Sequence, residues 1–310
     1  MGDADHAPSL PPVALFLFNR PDLTQQIFAA IRAARPSRLL LVGDGPRSSR
    51  PAEKAACDAA RAIAQAVDWK CEVLTDFSEV NLGCKRRISS GLDWVFRTCE
   101  EAIILEDDCL PSPSFFPYCR ELLDRYRNDA RVSLIGGTNL LPGPGTASYS
   151  FSRYGSIWGW ASWRRAWRDY DVDMKSWPAF RDAGLLRAAF PDPAECRYWT
   201  AMFDGMYAKS IDTWDYQWFF TRLSQSGLSV VPRVNLVSNL GFRGDATHTG
   251  AFDAKTANLE RGELARIEHP DFVVPDTDAD RRLFDHVFRP PSLTGRVIRK
   301  LGRMFARRPA

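Results

Sequence analysis

The first 140 residues predict an α/β fold, with a mostly parallel central sheet and helices on both faces. Two observations carry that prediction. Short, continuous apolar runs recur along this stretch, as strands buried on both faces require. Between successive runs lies a segment with helical periodicity, long enough for a crossover between parallel strands. The first run is VALFLF (13–18). After Asn19-Arg20-Pro21, the segment DLTQQIFAAIRAA puts Leu23, Ile27, Ala30, Ile31 and Ala34 on one helical face. RLLLV (38–42) is the second strand and ends at Gly43-Asp44-Gly45-Pro46. A proline opens the next helix, 51–67, as suits a first helical turn. CEVLT (71–75), the amphipathic CKRRISSGLDWVFRT (84–98), EAIILE (101–106), a helix over 115–128 and RVSLIG (131–136) continue the alternation. Right-handed crossovers put the strand carboxyl ends on one edge, where open α/β sheets bind ligands.

Beyond residue 140 the alternation stops. LPGPGTASY reads as a Gly/Pro loop, and eight of the ten tryptophans fall between 158 and 218. Helices are expected in ASWRRAWRDY, SWPAFRDAG, AECRYWTAMFDGMYAKS and WDYQWFFTRLSQSG, followed by extended chain in LSVVPRVNLVSN and a Gly-, Thr- and Asp-rich loop at 241–250. The expected organisation is a disordered arm (1–12), a ligand-binding subdomain (13–140), an aromatic-rich subdomain of the same domain (141–288) and a basic amphipathic tail (289–310).

Composition narrows the function classes. The chain has 310 residues, 45% hydrophobic and 25% charged, with a formal net charge of +3, so its total charge gives no pull toward nucleic acid. Seven widely spaced cysteines form neither a CxxC pair nor a Cys/His ligand set, and are expected to be reduced thiols of a cytoplasmic protein. The first residues lack a basic segment before an apolar one, so they do not read as a secretory signal, and no apolar run is long enough for a bilayer span. Between 291 and 308 there are six basic residues and no acid, with Leu293, Val297, Leu301, Met304 and Phe305 at helical spacing. Such a helix suits peripheral contact with an anionic membrane, at its inner face; a docking helix or a solvated tail is the plainer alternative.

Three polar clusters fall on the predicted ligand edge: Asn19-Arg20, Asp44 and Glu106-Asp107-Asp108. Hard divalent cations take one or two carboxylates and complete their shell with phosphate oxygens and water, and adjacent acids at a strand end can supply the carboxylates. An acidic turn capping the next helix is the alternative. An arginine at this edge suits phosphate or a base, and an aspartate suits a base or ribose. In SIWGWASWRRAW (156–167) tryptophan faces suit sugar rings, although core packing explains most of them. Asp215, between aromatics in TWDYQWFF, suits a general base or a helix cap.

The order and spacing of FNR, VGDG, EDDCLPSPSFF, WGWASW, WDYQW and GFRGDATHTGAFD resemble the GT-A (Rossmann-like) nucleotide-diphospho-sugar glycosyltransferases, in particular the N-acetylglucosaminyltransferase I type and its bacterial relatives. The resemblance spans about residues 13 to 253. It implies that Arg20 and Asp44 hold the nucleotide base, expected to be uracil. It further implies that Glu106 meets the donor sugar, Asp107 the ribose, and Asp108 a divalent metal, Mn²⁺ or Mg²⁺. Asp215 would be the catalytic base beside Trp214, Trp160 and Ala161 would wall the donor sugar, and Thr247 and His248 would lie near the diphosphate in a loop that orders over the donor. CKRRISSG has no histidine where the eukaryotic enzyme places one near the nucleotide. The implied activity is inverting, metal-dependent transfer from a UDP-sugar to a glycan or lipid-linked acceptor, in bacterial cell-surface glycan or lipid-linked sugar synthesis. A non-catalytic nucleotide-sugar-binding protein is the main alternative. A metal-dependent phosphohydrolase or nucleotidyltransferase is another, although FNRPDL lacks the glycine-rich loop usual after strand one in nucleotidyltransferases.

Overall fold

The computed structural model describes residues 9–143, 145–242 and 258–289. Its centre is an eight-stranded mixed sheet whose strands stand side by side in the order Glu72–Phe77, Arg38–Gly43, Val13–Leu17, Glu101–Glu106, Trp160–Trp163, Val132–Gly136, Leu228–Pro232 and Tyr149–Ser152. The expected strands are β1 (Val13–Leu17), β2 (Arg38–Gly43), β3 (Glu72–Phe77), β4 (Glu101–Glu106) and β6 (Val132–Gly136). The first four of these pair in parallel, with β1 in the middle between β2 and β4. The connecting helices are α1 (Pro21–Ala34), α2 (Glu53–Gln65), α3 (Gly83–Thr98) and α4 (Phe115–Arg125).

The sequence reading misplaced one element. Ala161–Trp163, expected to open a helix, lies instead in strand β8 (Trp160–Trp163), and only Arg164–Trp167 (α5) is helical there. β8 runs antiparallel between β4 and β6, pairing Ile104 with Trp160 on one side and Gly136 with Trp160 on the other. Four residues carry too little periodicity to separate a strand from a helix, and the partners that decide the matter are distant in sequence. Two further strands, β5 (Cys109–Pro111) and β7 (Tyr149–Ser152), fall almost wholly where no element was expected, only Tyr149 lying in the expected loop. β9 (Leu228–Pro232) runs parallel to β6, and β7 closes the edge antiparallel to β9. β5 leaves the main sheet and pairs with β10 (Val237–Asn239).

Strand alternation divides the core in two. Val13, Leu15, Leu39, Leu41, Ile103 and Leu105 face α1, α2 and α4. Ala14, Phe16, Leu40, Val42, Ala102 and Ile104 face α3, Trp167 of α5, Trp218 of α9 (Asp215–Ser224) and Trp214 just before it. A third cluster, rich in aromatics, joins Trp177 of α6 (Trp177–Asp182), Leu186 of α7 (Leu186–Ala189), Trp199 and Phe203 of α8 (Pro193–Tyr207) and Phe219 and Phe220 of α9. The final described helix, α10 (Thr277–Leu283), leads into a π-helical turn whose Phe284 packs into that cluster.

The expected N-terminal arm is in part integral to the sheet: Pro11 is buried and the Pro12 carbonyl accepts the Ile103 N–H at 2.9 Å. All seven cysteines are free thiols. Among the described residues, no helix is long and apolar enough to cross a membrane. The basic tail from 290 onward lies outside the described residues, as do Thr247 and His248.

Candidate functional site

The carboxyl edge gathers residues from β1, β2, β4 and the start of α9. At the end of β1, Pro21 occupies the first turn of α1 and Arg20 is the residue that caps it, with φ −120°. A residue before proline is held out of the helical region, which fixes where Arg20 leaves the strand. Its carbonyl accepts from both the N–H of Thr24 at 2.9 Å and the hydroxyl of Thr24 at 2.8 Å. The Arg20 guanidinium then reaches across to β4, with Nη1 2.7 Å from Asp108 Oδ2 and 3.8 Å from Asp107 Oδ1.

Glu106 ends β4, and Asp107 and Asp108 form the turn into β5. Asp107 is 7% exposed and accepts the Phe18 N–H at 3.0 Å. Burial, with the charge of Asp108 next, pushes the Asp107 carboxyl up to about 7, against the opposing pull of Arg20 and the Phe18 N–H. Burial and the charges of Asp108 and Asp107 hold Glu106 well above the carboxylate range as well, and Asp215 adds to that effect. Among the described residues, three acids therefore share a poorly solvated turn with one guanidinium against them.

Asp108 is held on its main chain and its side chain together. Its carbonyl accepts the Leu240 N–H at 2.8 Å, next to the β5–β10 pairing of Cys109 with Asn239. The α-carbon of Gly241 then lies so close that a Cβ there would sit 2.2 Å from Asp108 Oδ2. A side chain there would have to push the Asp108 carboxylate aside. The motif GFRGDATHTG thus begins against the Asp108 carboxylate, and Phe242 packs edge-on to Trp158 with ring centroids 5.3 Å apart.

Asp44 is placed on the same edge but in a different setting. Its Oδ1 accepts the N–H groups of Gly45 (2.9 Å) and Leu82 (2.8 Å), and its Oδ2 accepts Asn81 Nδ2 (3.0 Å) and the Gly83 N–H (3.1 Å). This carboxylate ties the β2 loop to the opening turn of α3, satisfying main-chain donors that a helix start leaves over.

Asp215 is the first residue of α9, and the Thr213 hydroxyl donates to it. Trp214, buried just before it, stacks on Trp160 at 6.1 Å, and its carbonyl accepts from Tyr170 Oη at 3.2 Å. This aromatic packing fixes the start of α9. Trp160 and Ala161 are both completely buried, on opposite faces of β8, so their side chains belong to the two cores flanking the site.

Cys84, in the first turn of α3, was not singled out from sequence. Burial pushes its thiol up to about 12, with contributions from Glu106, Asp215, Asp212 and Asp108. One side chain thus feels acids from β4, the turn after it, and the approach to α9. A Cβ on Gly83 would lie 4.0 Å from Asp212 Oδ2, so the two walls meet there. The available signal was position: Cys84 opens the helix that follows the third strand, on the ligand edge.

Among the described residues, no group of three or more His, Cys, Asp or Glu side chains is arranged as a metal-ligand set. The donor chemistry fits a cation bound through few protein ligands: oxygen-only groups, excess negative charge, and an Asp108 carboxylate whose Oδ1, among the described residues, has the weak Cys109 thiol against it at 3.5 Å. No protein-family model matches this chain, and no curated protein matches it.

Proposed function

We propose that the protein is an inverting, metal-dependent glycosyltransferase of the GT-A type, moving a sugar from a UDP-sugar to a hydroxyl of a glycan or lipid-linked acceptor. The observation that carries this reading is the meeting of two distant acidic elements: the 106–108 turn after β4 and Asp215 at the start of α9, coupled through the charge that Asp215 exerts on Glu106. That arrangement separates a leaving-group side from a base.

Asp108 is the residue to hold Mn²⁺ or Mg²⁺, which when bound would neutralise charge developing on the departing diphosphate. Asp107 is assigned to the ribose and Glu106 to the hydroxyls of the donor sugar. Asp215 takes the proton of the acceptor hydroxyl as its oxygen forms the new bond to the anomeric carbon. The bond from that carbon to the diphosphate oxygen breaks on the opposite face, and the electron pair leaves with the nucleotide. A single in-line displacement inverts the anomeric centre. Asp44 serves this site by holding the β2 loop against α3, with the base bound beside it. Thr247 and His248 retain their proposed place near the diphosphate.

A panel of nucleotide-sugars with Mn²⁺, read first by thermal shift and then by transfer, tests the reading. A UDP-sugar is expected to stabilise the protein only with the cation present, and Asp108→Ala is expected to abolish that stabilisation. No stabilisation and no turnover with any donor overturns the proposal.

A further inference from the structure

The Asp108 carboxylate already has a cation. Arg20 Nη1 lies 2.7 Å from Oδ2, while Gly241 closes the approach from another side, where even a Cβ would come within 2.2 Å. A divalent ion binds a carboxylate oxygen at about 2.0–2.6 Å, so on Oδ2 it would stand directly beside the guanidinium, like charge against like charge. Bound through Oδ1 of the same group, it would stand within a few ångströms of an arginine charge. The metal and Arg20 therefore compete for Asp108.

The arginine is built to move at one end only. Its carbonyl is held by two donors from Thr24 and its backbone is constrained by Pro21, whereas its guanidinium end is partly open, with the side chain 21% exposed. Releasing it into water would leave Asp107 and Asp108 without this counter-ion and place a second cation nearby. A diphosphate removes both difficulties, because its oxygens can ligate the metal and accept from the guanidinium together.

We infer that Arg20 is a displaceable internal counter-ion: it occupies Asp108 until a nucleoside diphosphate and a divalent cation arrive together, and then passes to the phosphate oxygens. The inference rests on the proposed metal role of Asp108. It makes metal binding conditional on the donor, so the protein does not hold a cation poised to hydrolyse stray nucleotides. Arg20 acts here as a positioning residue.

The test is Mn²⁺ binding, read from the electron paramagnetic resonance signal of the free aqua ion, with and without UDP. Wild type is expected to bind Mn²⁺ at least about tenfold tighter with UDP than without, a common size for coupling between sites. Arg20→Met, which keeps length and removes charge, is expected to bind Mn²⁺ alone about tenfold tighter than wild type and to lose most of its dependence on UDP. Arg20→Lys is expected to behave as wild type does. Equal Mn²⁺ binding by Arg20→Met and wild type without UDP overturns the inference while leaving the site's function intact. UDP-independent binding by wild type overturns it without any variant. Absence of Mn²⁺ binding by wild type under both conditions overturns the metal site as well.

Discussion

Asp44 and Asp108 stand at the ends of neighbouring parts of one sheet, both acidic and both sheltered, yet their surroundings differ in kind. Asp44 receives four hydrogen bonds from the 45 and 81–83 segments, so its charge is used to build the loop. Among the described residues, the 106–108 turn has three acids, one main-chain donor on Asp107 and one arginine that touches two of them. The difference is the supply of donors. Where the main chain provides them, a buried aspartate is architecture; where it does not, the acids are left to attract something from outside.

The contrast can be broken at several points. The largest effect is expected at the far wall: Asp215→Asn should lower turnover by about 10²–10⁴-fold while donor binding by calorimetry is retained. Full activity in this variant would remove the base assignment. Next is Asp44→Ala, which strands several donors and should lower stability by about 2–4 kcal/mol, read as a fall in Tm and in the denaturant midpoint. If instead stability holds and only nucleotide affinity falls, Asp44 belongs with the ligand and the contrast fails.

Gly241→Ala should reduce Mn²⁺-dependent donor affinity by about tenfold or more, equivalent to about 1.4 kcal/mol, because the new methyl must push the Asp108 carboxylate aside. Its Tm should change less than that of Asp44→Ala. The last test concerns pH. Asp107 titrates near 3.8 when unfolded and is raised to about 7 in the fold, so the native state binds the extra proton between those values. Stability in metal-free buffer should therefore fall as pH rises from about 4 to 7 and level off above. Asp107→Asn should flatten that part of the Tm–pH curve; an unchanged slope would place the raised titration elsewhere.

Much of this was legible before the fold was in hand, and the limits are physical. β1–β4 announce themselves because strands buried on both faces must be continuously apolar, and the helices between them keep their period. Trp160–Trp163 did not, because a four-residue strand between two distant partners has no local signature. At the site, position after a strand was enough to bring Arg20, Asp44 and Glu106–Asp108 to one edge. Their partners were not readable: Arg20 and Asp108 are 88 residues apart, and Asp44 and Gly83 are 39 apart. Those contacts add an ion pair at Arg20 and a loop anchor at Asp44 to the expected pair. Cys84 escaped notice because a thiol in a helix start has no pattern of its own until the acids around it are placed.

The insertion of β8 also bears on how the chain is made. β6 ends at Gly136, but the strand that must lie between it and β4 begins at Trp160, and β9, its other neighbour, begins at Leu228. During synthesis β1 to β4 can assemble as soon as their crossovers emerge, since each finds its partner among residues already made. β6 must wait with both edges bare, a run of Val132, Leu134 and Ile135 exposed to any other unpaired strand. A ribosome pausing between residues 136 and 160 would prolong that interval, and nascent chains arrested there should be the ones most prone to aggregate.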